Sequence, residues 1–336
     1  MSECSQNSHP YDALTPDTVF DAMESLGFQC DGRLLALNSY ENRVYQIGIE
    51  DESPVVTKFY RPERWSLEAI MEEHEFTIDL EANDVPVVAP LCLGADQSSL
   101  HEYAGFRFAV YPRRGGRWPE LDNEDNLKWL GRFIGRIHVM GAARKFEHRP
   151  TVNIKNYAED SFDFIVASNF VPLELQTAYT TLMKDVIDQV KNVFNMVGEY
   201  KEICLHADCH PGNILWTDNG PHFVDFDDAR MGPAIQDLWM LLSGDRQEMT
   251  QQLTVLLKAY TEFHSFDFRE LRLIEALRTL RMIHYSAWLA RRWDDPSFPH
   301  NFPWFMDHKY WEEQILAMRE QFALMNEEPL VIDIAR

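Results

Sequence analysis

The sequence lacks the features that place a protein outside the cell or in a membrane. Its five cysteines, Cys4, Cys30, Cys92, Cys204 and Cys209, are odd in number and form no C-x-x-C pair. Such a set predicts reduced thiols rather than a disulfide framework. No apolar run is long enough to cross a bilayer, and the first residues show neither the basic nor the apolar segment of a signal peptide. We therefore expect a cytoplasmic protein.

Basic residues are in the minority. The chain has 31 lysines and arginines against 54 aspartates and glutamates, which gives a formal net charge of −23. This balance argues against binding to nucleic acid or to an anionic membrane surface, because both need basic surfaces. The 336 residues contain no internal repeat and suffice for two lobes. We expect a monomer whose residues 1–12 are disordered.

The most informative stretch runs from Leu205 to Asp228 and has the sequence LHADCHPGNILWTDNGPHFVDFDD. It contains two apolar, strand-like pieces, residues 213–216 and 222–226. The residues between them, 217–221, are rich in Asp, Asn, Gly and Pro, which is typical of a hairpin turn. The sequence therefore predicts a β-hairpin here, with polar side chains where its strands begin and end.

Three of those polar side chains have the spacing that phosphoryl transfer from a nucleotide requires. Asp208 precedes the hairpin, Asn213 follows five residues later, and Asp225 lies at the far end. The first carboxylate accepts the proton of the attacking hydroxyl, while the amide oxygen and the second carboxylate hold Mg²⁺ on the phosphates of ATP. His206, Asp208 and Asn213 fit the H-x-D-x-x-x-x-N loop of protein kinases, and residues 224–227 stand where kinases carry D-F-G. We predict a kinase site with Asp208 and Asp225 as catalytic residues and with Asn213 and Asp225 as metal ligands.

Two other interpretations of this stretch stay open at the level of sequence. His206, Asp208 and His210 alternate, so an extended chain would place them on one face like a trio of metal ligands. No second His or Cys cluster completes a zinc site, however. A plain polar turn between strands is the other alternative. It leaves the spacing of the two aspartates and the asparagine unexplained.

The N-terminal third predicts the parts that bind the nucleotide. Residues 34–37 and 43–49 form two strand-like runs, and in a kinase the turn between them lies over the phosphates. That turn lacks glycine here, so we expect the Ser39 hydroxyl and nearby backbone N–H groups to donate to phosphate oxygens instead. Lys58 stands in an apolar strand where kinases carry their phosphate-binding lysine, and it needs an anionic partner. The acidic helix predicted over residues 66–81 offers four candidates: Glu68, Glu72, Glu73 and Glu75.

A composition break at residues 112–116, PRRGG, divides the chain. Before it we predict two further strands, over residues 85–93 and 106–111; after it the chain is mostly helical. The fold class is therefore α+β. We expect a two-lobed, protein-kinase-like fold with a nucleotide-binding lobe over residues 1–112, a hinge over 113–116 that contacts adenine, and a helical lobe over 117–336 that carries the catalytic hairpin. ATP with Mg²⁺ is expected to bind between the lobes.

Four residues of the helical part have predicted structural roles. Gly131 and Gly135 lie on one helix, where they would let another element approach closely. His138 on the same helix is expected to be a hydrogen-bonded interior histidine rather than a catalytic residue. Asp237 is expected to bind backbone groups of the catalytic loop.

Together these motifs resemble the phosphotransferase branch of the protein-kinase-like fold that includes aminoglycoside and choline kinases. The matching pieces are residues 205–213, where the family has H-G-D-x-H-x-G-N, residues 224–227, and Glu73, which matches the glutamate that pairs with the lysine. Within that branch the resemblance to bacterial stress-response kinases covers nearly the whole chain, as in LNSYENRVYQ at 37–46 and GPAIQDLWMLL at 232–242. It implies a Ser/Thr protein kinase that phosphorylates itself and other proteins and protects stressed cells.

Two rival functions share some or all of these residues. A kinase for a small amino alcohol or antibiotic would need every catalytic residue named above, together with a compact acidic pocket for its acceptor. A non-catalytic nucleotide-binding regulator would be expected to have lost part of the Asp208, Asn213 and Asp225 set. All three residues are present.

Overall fold

The computed structural model describes residues 10–333. In chain order its helices and strands are α1 (Pro16–Glu24), β1 (Cys30–Ala36), β2 (Arg43–Ile49), β3 (Val55–Phe59), α2 (Leu67–Ala82), β4 (His101–Tyr103), β5 (Phe106–Pro112), α3 (Glu124–Ala142), α4 (Asp160–Ser168), α5 (Leu173–Val197), β6 (Ile203–Leu205), β7 (Ile214–Thr217), β8 (Gly220–Phe223), β9 (Arg230–Gly232), α6 (Ile235–Trp239), α7 (Arg246–Tyr260), α8 (Ile274–Arg291), α9 (Ser297–Asn301) and α10 (His308–Leu324). Within the described range, no helix is both long and apolar enough to cross a membrane.

The described chain forms two compact units. The first contains residues 10–117 and 215–227, and the second contains residues 118–214 and 228–333. The chain first leaves the first unit after Arg117, next to the predicted hinge at 113–116. The hairpin differs from expectation: the sequence places it in the helical part, whereas residues 215–227 group with the first unit.

The first unit is built on a five-stranded antiparallel sheet with the strand order β1-β2-β3-β5-β4. Strand β3 lies in the middle, so both of its edges are hydrogen-bonded and its side chains are largely buried. Phe59 of β3 stacks on Phe108 of β5 with ring centroids 5.0 Å apart. Helix α1 covers this aromatic core with Val19 and Met23. The predicted α+β class is confirmed.

Helix α1 shows why local sequence signals locate the start of the fold. Thr15 accepts a hydrogen bond from the Thr18 backbone as the N-cap, and Pro16 occupies the first helical position. The sequence predicts disorder over residues 1–12, and residues 1–9 of that range lie outside the described residues. Tyr11 is buried instead, and its hydroxyl donates to the carbonyls of Glu41 and Phe59.

Helix packing in the second unit depends on two glycines of α3. A Cβ atom at Gly131 would lie 2.3 Å from the Leu256 carbonyl oxygen of α7, and one at Gly135 would lie 2.8 Å from the Tyr260 carbonyl oxygen. Only glycine permits so close an approach of two backbones. The predicted role of both glycines is confirmed.

Two strand predictions are wrong. Residues 85–93 form no strand; they make only isolated bridges, from Val87 to Phe223 and from Leu93 to Ser98. Pro86 and Pro90 explain this, because each removes a backbone donor that a ladder would need. The second hairpin strand ends at Phe223, and residues 226–228 turn into a short 3-10 helix instead of extending it.

Candidate active site

The first unit gathers one lysine and three carboxylates. Lys58 projects from β3, and its Nζ lies 3.0 Å from Asp227 Oδ1, 3.3 Å from Asp225 Oδ1 and 3.5 Å from Glu73 Oε1. Among the four glutamates that the sequence offered as partners, Glu73 is the buried one on α2. The structure therefore brings together Lys58, Glu73 and Asp225 from the predicted site, and it adds Asp227.

The charges of this cluster keep the lysine protonated. Burial alone lowers the pKa of Lys58, but the carboxylates of Asp227, Glu73 and Asp225 outweigh it, so the pKa lies well above its ordinary value. The Asp225 side chain, in contrast, keeps 56% of its surface exposed. Asp225 also has a left-handed backbone with a φ of 60°. A charged, buried lysine thus stands beside an accessible carboxylate.

Asp227 is the residue whose role the sequence did not predict. It stands where protein kinases carry the glycine of D-F-G, and the sequence showed only that the glycine was missing. The structure buries Asp227 and pairs it with Lys58 and with Arg64, whose Nη1 donates to Asp227 Oδ2. Because two cations hold this carboxylate, it anchors the end of the hairpin within the first unit.

Ser39 lies where the sequence placed it, in the loop between β1 and β2. Its side chain is partly exposed. Within residues 10–333 no side chain or backbone group is hydrogen-bonded to its hydroxyl, so this donor is available to a ligand.

The second unit holds the loop that contains Asp208 and Asn213. Asn213 ends a short 3-10 turn, and its Nδ2 donates to the Asp208 carbonyl at 3.0 Å and to Asp208 Oδ2 at 3.2 Å. These bonds fix the orientation of the amide and leave Asn213 Oδ1 as its acceptor atom. The two predicted residues therefore form one hydrogen-bonded pair.

Asp237 of α6 holds the backbone that precedes Asp208. It accepts hydrogen bonds from the His206 N–H at 2.9 Å and from the Ala207 N–H at 2.7 Å. His138 Nε2 lies 3.0 Å from the same carboxylate and is fully buried. These bonds confirm the predicted roles of Asp237 and His138. They also hold Ala207 in the left-handed region with a φ of 66°, which is costly for a residue other than glycine.

The alternative of a metal site formed by histidines finds no support. His206 is buried, and its Nδ1 accepts a hydrogen bond from the Asp208 N–H. Within residues 10–333 no group of three or more His, Cys, Asp and Glu side chains is arranged to hold a metal ion.

Arg281 is a second residue that sequence reasoning missed. It projects from α8, 73 residues beyond Asp208, and its Nη1 donates to Asp208 Oδ1. On the other side of the carboxylate, His210 Nε2 lies 3.5 Å from Asp208 Oδ2. Burial raises the pKa of Asp208, but the hydrogen bond from His210 and the charge of Arg281 outweigh it, so the net pKa is lowered. No motif spacing links positions so far apart, so the sequence held no signal for this pair.

A lysine paired with a helix glutamate, an accessible aspartate after a hairpin, and an Asp–Asn loop define a phosphotransferase of the kinase-like type. The chain belongs to the phosphotransferase enzyme family, whose sequence model matches residues 33–274. It is therefore an enzyme, a kinase.

Relatives at high identity carry kinase names. The chain is 45% identical over 320 residues to stress response kinase A of Escherichia coli strain K12, with 95% of this chain and 96% of the relative covered. It is 43% identical over 324 residues to the serine/threonine protein kinase RdoA of Salmonella typhimurium, with 96% of this chain and 97% of the relative covered.

Solved structures share the fold at low identity. The amicoumacin kinase hAmiN, in complex with AMP-PNP, Ca²⁺ and Ami, matches with a TM-score of 0.69 and 18% identity over 94% of this chain and 96% of its own. A microcompartment-associated aminopropanol kinase matches with a TM-score of 0.67 and 17% identity over 91% and 96%. These similarities support the kinase-like fold.

Proposed function

We propose that this protein is a cytoplasmic serine/threonine protein kinase that uses ATP and Mg²⁺, phosphorylates itself and other proteins, and acts in a bacterial stress response. The observation that carries the proposal is the identity of 43% along 96% of the chain to a protein named as a serine/threonine protein kinase. The name stress response kinase A, borne by relatives at 45% identity, supports the stress role. A monomer without nucleic-acid or membrane partners remains a prediction.

The first unit supplies the groups that bind the nucleotide. Lys58 stays charged because of its three carboxylates, so it is suited to bind phosphate oxygens. Glu73 holds the lysine in place from α2. The unbonded hydroxyl of Ser39, in a loop without glycine, is the proposed donor to a phosphate oxygen.

We propose that Asn213 and Asp225 supply oxygen ligands for a magnesium ion. Asn213 presents Oδ1 because its Nδ2 is used by Asp208, and Asp225 presents a carboxylate whose side chain is 56% exposed. Amide and carboxylate oxygens are the ligands that Mg²⁺ takes in kinases. When bound, the ion would neutralise charge on the transferred phosphoryl group.

The second unit supplies the proton acceptor. Asp208 is held by the Asn213 amide and by the backbone that Asp237 fixes, so its carboxylate has a defined orientation. We propose that it accepts the proton of a serine or threonine hydroxyl and aligns that oxygen for attack on the γ-phosphorus. Positioning and electrostatics, rather than covalent chemistry by the protein, supply the rate enhancement.

A small-molecule acceptor is the alternative. The fold neighbours include an aminopropanol kinase, so the fold itself is compatible with that chemistry. An amino alcohol carries a positive charge and would need an acidic pocket, whereas here the guanidinium of Arg281 pairs with Asp208. This contact favours a protein acceptor. A non-catalytic regulator is disfavoured because Asp208, Asn213 and Asp225 are all present.

The test is incubation of the purified protein with γ-labelled ATP and Mg²⁺, alone and with a generic protein substrate. The Asp208→Ala variant is compared with Asp218→Ala, which removes an exposed carboxylate from the hairpin turn. We expect label on serine or threonine in the wild type and in Asp218→Ala, and none in Asp208→Ala. ATP consumption that requires an added amino alcohol or aminoglycoside, with no labelled protein, would move the function to the small-molecule class.

A further inference from the structure

Arg281 binds the proposed proton acceptor with only part of its guanidinium. Its Nη1 donates to Asp208 Oδ1, and its side chain keeps 43% of its surface exposed. Within residues 10–333 it has no other hydrogen-bond or ion-pair partner. Nε and Nη2 are therefore free, and they form the edge that binds a carboxylate or phosphate through two parallel hydrogen bonds.

Two other arginines of the second unit, Arg230 and Arg291, are already engaged. Arg230 donates from Nε and Nη2 to Asp228 and is buried. Arg291 donates to the Asp160 carbonyl and lies over the Phe164 ring, 5.0 Å from its centroid. These two side chains hold the fold of the second unit together. Arg281 instead holds a group that the reaction needs, and it retains unused donors.

We infer that Arg281 is a specificity-determining residue that binds an anionic group of the acceptor next to the hydroxyl that Asp208 deprotonates. This inference rests on the proposed function. The ligand chemistry is a carboxylate or a phosphate carried by a residue close to the target serine or threonine. The favoured substrates are therefore acidic or already phosphorylated segments of proteins.

Physical chemistry explains why such a group would be selected. A neutral or basic neighbour leaves Nε and Nη2 of Arg281 without a partner when the acceptor covers them, and a lysine adds repulsion. An acidic neighbour supplies a charge-assisted, bidentate hydrogen bond. A bond of this kind corresponds to a preference of about tenfold or more in kcat/KM.

The test compares peptides that contain one serine. One set places a single glutamate at each nearby position, a second set carries glutamine there, a third lysine and a fourth phosphoserine. We expect wild-type kcat/KM to be about tenfold or more higher for at least one glutamate or phosphoserine peptide than for its glutamine counterpart. The glutamate and phosphoserine arms show which anionic source is preferred.

Three variants separate recognition from a structural role. Arg281→Gln is expected to bring the ratio between acidic and neutral peptides close to one, and Arg281→Glu is expected to favour the lysine peptides. Arg272→Gln is the matched control, because Arg272 pairs at 3.4 Å with the exposed side chain of Glu328 and lies outside the site. It is expected to keep the wild-type ratio. Affinity for ATP should be equal in all three.

Each outcome bears on a different claim. Peptides labelled with equal efficiency whatever their charge, or an acidic preference that survives in Arg281→Gln, would overturn the inference and leave the kinase assignment standing. Failure to label any peptide or the protein itself would overturn the proposed function and the inference with it. The contact would be established if the wild type prefers acidic peptides and the Arg281→Glu variant prefers basic ones.

Discussion

Lys58 Nζ lies nearer to Asp227 Oδ1, at 3.0 Å, than to any other carboxylate around it. Asp227 occupies the position of the D-F-G glycine of protein kinases, so here a conformationally free residue is replaced by the centre of an ion-pair network. Arg64 binds the other oxygen of Asp227. Lys58 and Arg64 fix the end of the hairpin in the first unit through the Asp227 carboxylate. A glycine at this position would have no side chain for them to bind.

Restoring the glycine should therefore destabilise the protein. Asp227→Gly removes a buried carboxylate that binds Lys58 and Arg64, and breaking a buried ion pair in this way typically costs about 3–5 kcal/mol. We expect a lower melting temperature and weaker binding of ATP. Asp96→Gly, which changes an exposed turn in the same unit, serves as the control. Equal melting temperatures for the two variants would show that the network contributes nothing.

A glycine at position 207, unlike one at position 227, is not expected to destabilise the protein, because the backbone of Ala207 is strained. Its φ of 66° costs a non-glycine residue about 1–2 kcal/mol, and glycine at this position removes that cost. The gain equals or exceeds the loss of about 0.4–1 kcal/mol that glycine brings by freeing the unfolded chain. Ala207→Gly, which restores the family's H-G-D pattern, should leave stability unchanged or raise it by up to about 1.6 kcal/mol. A lower melting temperature would refute this account of the loop.

Asp237 should matter for activity as well as for stability. Its two oxygens accept separately from the N–H groups of His206 and Ala207, and an amide has only one oxygen. Asp237→Asn therefore leaves a buried donor unsatisfied at a cost of about 1–3 kcal/mol. We expect a lower kcat with little change in the affinity for ATP, because the loop that orients Asp208 is loosened. A variant with wild-type kcat would argue that the loop holds its own shape.

Glu270 predicts how stability changes with pH. Burial raises its pKa from 4.5 to about 7, although Oε2 accepts a hydrogen bond from the Ile235 N–H. The folded state therefore keeps a proton that the unfolded state has lost between these values, so stability falls as pH rises through this window, by about 3 kcal/mol in all. Glu270→Gln keeps an acceptor oxygen and does not titrate. Its melting temperature should fall less than that of the wild type across the same window; parallel curves would contradict the assignment.

Local signals in the sequence were sufficient wherever the chemistry is local. The spacing of Asp208 and Asn213 predicted a loop that the structure shows as a hydrogen-bonded pair, and Thr15 with Pro16 predicted the start of α1. The contact between Arg281 and Asp208 joins residues 73 positions apart on different elements, and only tertiary packing creates it. The same holds for Arg64, whose partner Asp227 lies 163 positions away. The strand predicted over residues 85–93 is wrong because Pro86 and Pro90 interrupt its apolar pattern and lack the backbone donors of a strand.

At Gly131, helix propensity and helix packing predict opposite effects of a substitution by alanine. Alanine favours the interior of a helix over glycine by about 1 kcal/mol, so propensity alone predicts that Gly131→Ala stabilises α3. A Cβ there would, however, lie 2.3 Å from the Leu256 carbonyl oxygen, which belongs to backbone and cannot rotate away. Overpacking of this kind costs about 1–3 kcal/mol, so we expect a lower melting temperature. Val139→Ala, at an exposed site on the same helix, should change it little. If Gly131→Ala instead raises the melting temperature, α3 and α7 can move apart at no cost. The close approach of the two helices would then not require glycine at this position.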